Sequence, residues 1–371
     1  MKHLKPPRIF YSFAVVAALA LTALAQTPTP TPKVETDEEP IRVSSRLVVV
    51  PVSVTNAAGQ PVMGLTAKDF SIAEENRPQQ IEKVSDADKV PLEIAILFDV
   101  SASTDAMFQF EQDTAAKFLQ EVMRPEDRAT IFTIGERPVL VQSRDVSEKS
   151  AVSIKNIQPT KQFTAFYDTV RIAADYLNKN APAGTRKVIV VISDGEDTNS
   201  EGVRNALDEG YKKLGKKIDT IDSKSLYQLT VANRNEASAR EQTRVLKSLQ
   251  NADTVFYSIN PAGTSIELNK MSQFGQATLD KFAVQTGGTA FLPKFQPIAL
   301  KDGVLNSYNV KKNQEMLTTI FRQLANELRA QYLVQYYSEA DFPVNRYVNL
   351  KVGLTGPQPL RVRARQGYFV K

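Results

Sequence analysis

The fold of this chain is indicated by one stretch, LEIAILFDVSAS, at residues 92–103. Its first seven residues are almost all apolar, which predicts a β-strand that is buried on both faces. The next five residues place one carboxylate, Asp99, and two hydroxyls, Ser101 and Ser103, in a short loop. Open α/β sheets bind ligands at the carboxyl ends of their strands, so this loop is the first candidate binding site.

Two more segments carry side chains of the same chemical kind. The run VIVVIS at residues 188–193 predicts a second buried strand, and Asp194 and Gly195 follow it. Between the two strands, Thr164 precedes a helical pattern that begins at Phe166. Each segment alone has an ordinary explanation, because Asp, Ser and Gly also form helix caps and turns. Together they predict a site for a divalent cation, since hard oxygen ligands suit Mg²⁺ and, less specifically, Ca²⁺ or Mn²⁺.

The set resembles the metal-ion-dependent adhesion site of the von Willebrand factor type A family. That site is a D-x-S-x-S motif after the first strand, a Thr on a later loop and an Asp after the fourth strand. The matching residues in this sequence are Asp99, Ser101, Ser103, Thr164 and Asp194. The resemblance implies that the hydroxyls bind the metal directly and that the aspartates act largely through water. It also implies that an exposed Glu or Asp of a protein partner completes the coordination.

Composition excludes several kinds of catalytic site. The chain has no cysteine, and its only histidine is His3, which lies in a segment that we predict to be removed. The mature chain would therefore lack the groups for Ser-His-Asp or Cys-His catalysis, for His/Cys zinc sites and for disulfides. The net charge of +5 becomes +2 without Lys2, Lys5 and Arg8. Because no dense basic stripe is present, nucleic acid is not an expected partner.

The first 40 residues have the features of an export signal and a tether. Three cations precede a mostly apolar stretch at residues 9–24, and Ala-Leu-Ala at 23–25 is a small-x-small cleavage site. Residues 1–25 therefore predict a cleaved signal peptide, with an uncleaved anchor helix as the alternative. We expect export to the periplasm, the cell envelope or the outside, with no membrane span after cleavage. Residues 26–40 contain TPTPTP and four acidic side chains, which indicate an extended tether or a disordered leader.

The remaining chain, about 330 residues, is long enough for two domains. Residues 91–338 alternate strand and helix patterns, which predicts a doubly wound, mostly parallel α/β sheet. Helices are expected at 110–123, 166–177, 279–286 and 313–331, and a closing strand at 333–337. Residues 201–250 form a connection longer than the family's usual one. This insert is either a specificity element over the site or a solvated helical excursion.

The two ends of the chain predict a small flanking β-sandwich. Residues 41–90 contain short β patterns that are marginal alone, and residues 339–371 offer two strands with period-two alternation, at 347–352 and 360–365. We expect these ends to pair. The motifs V-P-V-x-V-T, G-x-P-V-x-G-L-T-x-x-D-F and V-R-A-R-x-G-Y resemble the exported "VWFA-related" proteins of acidobacteria, over nearly the whole mature chain. That resemblance implies an architecture and no defined activity.

The sequence favours a binding module over an enzyme. A phosphatase of the haloacid dehalogenase type needs Asp-x-Asp, and Ser101 replaces the second Asp. The loop has no glycine to cradle a pyrophosphate, and no G-x-S-x-G elbow is present. We therefore predict an exported protein that binds a protein partner through a metal. Two alternatives are a structural envelope protein whose metal only stabilises loops, and a metal-assisted hydrolase with Glu196 or Asp197 as the base.

Overall fold

The computed structural model describes residues 46–101, 105–160, 163–261, 270–296, 301–356 and 359–370. The predicted signal peptide, the predicted tether and Ser103 lie outside these residues. The strands are β1 (Arg46–Thr55), β2 (Phe70–Glu74), β3 (Arg77–Pro78), β4 (Ile81–Asp86), β5 (Leu92–Asp99), β6 (Arg128–Ile134), β7 (Val139–Asp145), β8 (Arg186–Ile192), β9 (Thr254–Ile259), β10 (Ala290–Phe291), β11 (Gln331–Ser338), β12 (Tyr347–Leu354), β13 (Arg361–Ala364) and β14 (Gly367–Phe369). The α-helices are α1 (Asp105–Val122), α2 (Ser147–Lys155), α3 (Phe166–Asn180), α4 (Glu201–Leu214), α5 (Ser223–Asn251), α6 (Lys270–Thr286) and α7 (Gly303–Arg329).

A six-stranded sheet with the order β10-β9-β8-β5-β6-β7 forms the centre of the fold. All neighbouring strands are parallel except β7, which runs antiparallel to β6. The sequence of β5 explains its central position, because its apolar side chains point alternately to two helical layers. Ile94 and Ile96 join the core that contains α1 and α7, and Ala95 and Leu97 join the core that contains α3, α5 and α6. The predicted doubly wound sheet is confirmed.

The two ends of the described chain form a pair of antiparallel sheets over one shared core. The sheet orders are β13-β1-β11-β4 and β14-β12-β2-β3, so each sheet contains strands from both ends. β12 pairs with β2, and β13 pairs with β1, as the alternating patterns predicted. Inward-facing residues of both sheets, such as Val50, Ile72 and Val348, belong to a single hydrophobic cluster. This pairing gives the short N-terminal strands the partners that they lack alone.

The prediction that residues 333–337 close the central sheet was wrong. The strand there, β11, lies between β1 and β4 in the antiparallel sheet. Its buried residues Tyr332, Val334 and Tyr336 alternate with other side chains and point into the sandwich core. Side chains that face one core at every second position suit a sheet that covers that core, whereas both faces of the central strands join helix-covered cores. Because β11 directly follows a long helix, its sequence looks like the next strand of an alternating α/β sheet.

Two helices begin about ten residues earlier than the sequence predicted. α7 begins at Gly303, ten residues before the predicted start, because Asp302 caps it by accepting hydrogen bonds from the amides of Val304 and Leu305. Its first turns leave Val304 83% exposed, so they lack the buried stripe by which a helix is detected in sequence. α6 begins at Lys270 rather than at residue 279.

The insert at 201–250 consists of α4, a short 3-10 turn and most of α5. The second half of α5 is part of the domain core, through Ala237, Val245 and Leu249. The first half is mostly exposed, including Tyr227 at 69% exposure. The insert is therefore partly structural and partly a solvated helical hairpin.

Candidate metal centre

Asp99 ends β5, and both of its carboxylate oxygens accept hydrogen bonds from hydroxyls. Oδ1 accepts from Ser101 Oγ at 2.7 Å and from Ser101 N at 3.0 Å, and Oδ2 accepts from Ser193 Oγ at 2.6 Å. Burial raises the pKa of Asp99 above its ordinary value, and these hydrogen bonds oppose that rise. Because Ser101 donates its only hydroxyl proton to Asp99, the lone pairs of Ser101 Oγ remain free to bind a cation.

Asp194 follows β8, which pairs with β5 in a register that sets Phe98 opposite Ile192. The two aspartates therefore leave adjacent strands at the same edge of the sheet. Asp194 Oδ1 accepts a hydrogen bond from Glu196 N at 2.9 Å. Burial, and then the neighbouring charge of Asp99, raises the pKa of Asp194 to about 6. Two carboxylates that disfavour each other's ionisation are thus held at one place.

The turn after Asp194 requires a glycine. Gly195 has a φ of +77°, a backbone conformation that residues other than glycine rarely adopt. A Cβ at this position would lie 2.6 Å from the carbonyl oxygen of Gly275 on α6. A Cβ on Gly275 would in turn lie 2.7 Å from the carbonyl oxygen of Asp194. The backbone of the turn therefore packs directly against the backbone of the helix. This contact fixes the position of the Asp194 backbone, from which the carboxylate extends.

Thr164 is buried immediately before α3 and is held by the loop that follows Asp194. Its backbone N–H donates to Thr198 Oγ1 at 2.8 Å, and its carbonyl accepts from the amides of Thr198 and Asn199, each at 2.9 Å. The hydroxyls of Thr164 and Thr198 lie 3.3 Å apart. The loop of Thr164 and the loop of Asp194 thus form one hydrogen-bonded unit.

Asp197 stabilises this hydrogen-bonded unit through its carboxylate. Its Oδ2 accepts from the backbone N–H of Tyr167 at 3.0 Å and from the hydroxyl of Ser200, and its Oδ1 accepts from Ser200 N at 3.1 Å. Burial raises the pKa of Asp197 to about 6. The carboxylate joins the first turn of α3 to the residue before α4, which is a positioning role. Asp197 was one of two candidate bases for a hydrolase, and both of its oxygens have backbone partners.

Within the described ranges, no ion pair involves Asp99, Asp194 or Glu196, although other carboxylates have arginine or lysine partners. Glu196 accepts a hydrogen bond from the hydroxyl of Ser272. Nor do three or more His, Cys, Asp or Glu side chains of the described chain form a metal site by themselves. Any cation at this edge would therefore need the hydroxyl ligands, and the buried acidic oxygens beside them fit a hard divalent ion.

Four of the five residues singled out in the sequence lie at this edge of the sheet: Asp99, Ser101, Thr164 and Asp194. The fifth, Ser103, lies outside the described residues. Sequence reasoning missed Ser193 and Thr198, whose hydroxyls orient Asp99 and Thr164. Ser193 is the last residue of the predicted strand, and a hydroxyl at the carboxyl end of a central strand is the one signal that could have identified it.

These elements define the chain as an open α/β-sheet protein with a cluster of polar loops at the carboxyl edge of the sheet. Residues 94–196 match the model of the von Willebrand factor type A domain family. The chain thus contains a von Willebrand factor type A domain, which includes Asp99, Thr164 and Asp194. No curated protein matches the chain.

Several solved structures are similar to this chain at low sequence identity. Proximal thread matrix protein 1 from the mussel byssus is 11% identical with a TM-score of 0.42, and the match covers 69% of this chain and 50% of that one. The chain thus spans about half the length of that protein, which was also solved with a zinc-occupied MIDAS motif. The PilB minor pilin from Streptococcus sanguinis is 13% identical with a TM-score of 0.40, covering 64% and 62%. An aerotolerance-related membrane protein from Bacteroides fragilis is 14% identical with a TM-score of 0.37, covering 62% and 99%.

None of the helices in the described part of the chain has the length and the apolar composition that a membrane span requires.

Proposed function

We propose that this chain is an exported, metal-dependent protein-binding module. A divalent cation, Mg²⁺ or else Mn²⁺ or Ca²⁺, is held by Asp99, Ser101, Ser103, Thr164 and Asp194. The cation coordinates an exposed Glu or Asp of a protein partner. Residues 1–25 direct export, residues 26–40 tether the module, and neither nucleic acid nor catalysis is part of the function.

The observation that carries the proposal is a partly buried acidic cluster, Asp99, Asp194 and Glu196, without a cationic partner among the described residues. Asp99 and Asp194 are both raised in pKa, so each is held in a position that disfavours its own charge. A divalent cation removes that cost, because it favours the ionised form of both groups. Ser101 and Thr164 are neutral ligands, so the cation keeps positive charge for an acidic side chain from outside.

An exposed aromatic side chain marks the face on which the partner would dock. Phe163 is 65% exposed and immediately precedes Thr164. Aromatic residues at protein interfaces contribute much of the binding energy when a partner covers them. A phenyl ring beside a metal-bound acidic side chain would add apolar contact area to a polar site, and aromatic residues are enriched in the cores of protein interfaces.

The metal is tested by isothermal titration calorimetry on the mature chain with Mg²⁺, Mn²⁺ and Ca²⁺. One site is expected, lost in Asp99→Ala and strongly weakened in Asp194→Ala. Glu82→Ala, an exposed carboxylate on β4, is the matched control and should bind metal as the parent does. Unchanged binding in both site variants would remove the metal assignment.

The open coordination position is tested with acetate as a minimal carboxylate. The protein should broaden the methyl resonance of acetate beyond the broadening that the same concentration of free Mn²⁺ causes, and this excess should be lost in Asp194→Asn. Capture from native envelope in Mg²⁺ and in EDTA then supplies a candidate partner for purification.

Surface plasmon resonance with the purified partner decides between binding and a purely structural metal. Phe163→Ser and Thr164→Ala should weaken partner binding, and Phe163→Ser should leave metal affinity unchanged. If EDTA lowers the melting temperature but leaves partner affinity the same, the metal only stabilises the loops. The interaction would then belong to another surface, such as the insert at 201–250.

A further inference from the structure

The amino ends of the central parallel strands lie at the opposite edge of the sheet from Asp99 and Asp194. A cavity of about 530 Å³ lies between the antiparallel sheet β13-β1-β11-β4 and the amino ends of β8 and β9. Its apolar wall includes Leu47, Leu333, Val188 and Val255. A seven-residue strand is about 20 Å long, which separates this cavity from the loops at the carboxyl edge. Its volume is within the range of small-molecule sites.

Three arginines from distant parts of the chain line this cavity: Arg46, Arg186 and Arg365. Arg186 is 7% exposed and Arg365 is 8% exposed. In each of the three guanidinium groups, Nε is buried and has no hydrogen-bond partner. A buried donor without a partner is costly, so the cavity is lined by three guanidinium groups whose hydrogen-bonding capacity is not fully used within the described chain.

The charge of Arg186 is not matched by an ion pair among the described residues. Its terminal nitrogens donate to the carbonyl oxygens of Ala87 and Leu328 and to the amide oxygen of Gln331, at 3.2, 2.7 and 2.6 Å. All three acceptors are neutral. Asp127 is near enough to act electrostatically, but its oxygens accept from Leu92 N, Arg124 N and Arg329. Burial lowers the pKa of Arg186 to about 10, so the group is still charged at neutral pH.

Arg46 and Arg365 are both placed against the ring of Tyr368. Their guanidinium carbons lie 5.5 and 5.4 Å from the ring centroid. Arg365 also donates to Asp253 at 2.9 Å and to the carbonyl of Val49. Among the described lining residues, Asp253 is the only carboxylate, against the three arginines and Lys187. The cavity is therefore cationic, with apolar walls.

We propose that this cavity binds a small organic anion, whose carboxylate or phosphate group accepts hydrogen bonds from Arg46, Arg186 and Arg365 and whose apolar body lies against Leu47 and Val188. The planar guanidinium group matches both oxyanions, and it often binds them through two nitrogens. The walls favour a ligand with an apolar part over a free inorganic ion. This site does not depend on the metal centre, because it lies in a different part of the fold.

The test is isothermal titration calorimetry of the full mature chain in EDTA with phenyl phosphate, benzoate, inorganic phosphate and benzyl alcohol. One binding site is expected for phenyl phosphate or benzoate, and the stronger of the two identifies the headgroup. Arg46→Gln should weaken that binding at least tenfold, because Arg46 makes no ion pair in the described chain whose loss would disturb the fold. Arg322→Gln, an exposed arginine on α7, is the control and should bind as the parent does.

The proposal is overturned by equal binding in Arg46→Gln and Arg322→Gln, by binding of benzyl alcohol as strong as that of benzoate, or by binding of inorganic phosphate as strong as that of phenyl phosphate. The absence of heat with both organic anions at their highest soluble concentrations would overturn it as well. Thermal unfolding of both variants is measured alongside. If Arg46→Gln unfolds, Leu47→Trp replaces it, because Leu47 is 46% exposed and a larger side chain there would occupy cavity space.

Discussion

Ser193 Oγ donates a hydrogen bond to Asp99 Oδ2 over 2.6 Å and accepts one from Gly195 N at 3.1 Å. One hydroxyl therefore connects the carboxylate at the end of β5 to the turn that carries Asp194. Ser193 is fully buried, so water does not compete for these bonds. The two aspartates that the sequence pattern paired are joined through a residue outside that pattern.

The first prediction concerns Ser193→Ala. The change removes the hydroxyl that donates to Asp99 Oδ2 and that accepts from the Gly195 amide, so the affinity for Mn²⁺ should fall by roughly 10- to 100-fold. Calorimetry measures the affinity. Ser258→Ala is the matched control, because Ser258 is equally buried on the neighbouring strand β9 and its hydroxyl has no hydrogen-bond partner. An equal loss of affinity in both variants would mean that Ser193 has no specific role.

The second prediction concerns pH and the metal. The pKa of Asp194 is raised to about 6, so this group binds a proton as pH falls through about 6 and must release it to bind a cation. The affinity for Mg²⁺ should therefore decline below pH 6, by roughly tenfold for each pH unit. Titrations at pH 7.5, 6.5 and 5.5 give the profile. An affinity that stays constant across this range would contradict the raised pKa.

The third prediction concerns the metal-free chain. A carboxyl with a folded-state pKa above its unfolded value stabilises the fold fully at low pH, and that stability is lost as pH rises through the folded pKa. For Asp194 this loss occurs between about pH 4 and about pH 6, and it lowers the free energy of unfolding by about 3 kcal/mol. Urea unfolding in EDTA should show this decline, and Asp194→Asn should reduce it because the amide carries no charge. A variant that declines as steeply as the parent would show that other groups cause the pH dependence.

The sequence predicted the central fold well because the segments at 92–98 and 188–192 are almost entirely apolar, and short apolar runs of this length are typical of strands buried on both faces. The pairing of the two chain ends was also predictable. Strands in which apolar and polar residues alternate bury only one face, so the strands at the two ends need each other to form a shared core. The sheet membership of β11 was not, because a strand's neighbours depend on contacts with β1 and β4 that lie far away in sequence.

The candidate site was predicted as far as the recognised motif extends. The D-x-S-x-S motif and the two later residues have fixed spacing relative to strands, whereas Ser193 and Thr198 are single hydroxyls whose role depends on the packed loops. The same holds for the arginine-lined cavity. Arg46, Arg186 and Arg365 are separated by more than a hundred residues each, and only the folded chain brings them together.

The fourth prediction concerns a buried carboxylate in the sandwich. Glu74 accepts hydrogen bonds from the hydroxyls of Tyr336 at 2.9 Å, Ser338 at 2.8 Å and Tyr368 at 2.5 Å. Glu74→Ala leaves these three hydroxyls without their acceptor and should lower the free energy of unfolding by about 3 kcal/mol. Urea denaturation measures the change. Glu82→Ala on β4 is exposed and should change it by less than about 0.5 kcal/mol. Similar values for the two variants would mean that the network contributes no stability.

The last prediction concerns the dependence of the N-terminal strand on the C-terminal one. Val52–Thr55 of β1 pair with Arg361–Ala364 of β13, although about three hundred residues separate the two segments. Deleting residues 347–371 removes β12, β13 and β14 and exposes Val50 and Ile72 in the shared core. Hydrogen exchange at residues 52–55 should then accelerate at least tenfold, because those amides lose their ladder partners or their cover. Exchange at residues 94–98 of β5 is the internal control and should change much less, since that strand lies in the other sheet. Unaltered protection at 52–55 after the deletion would show that the two ends fold independently.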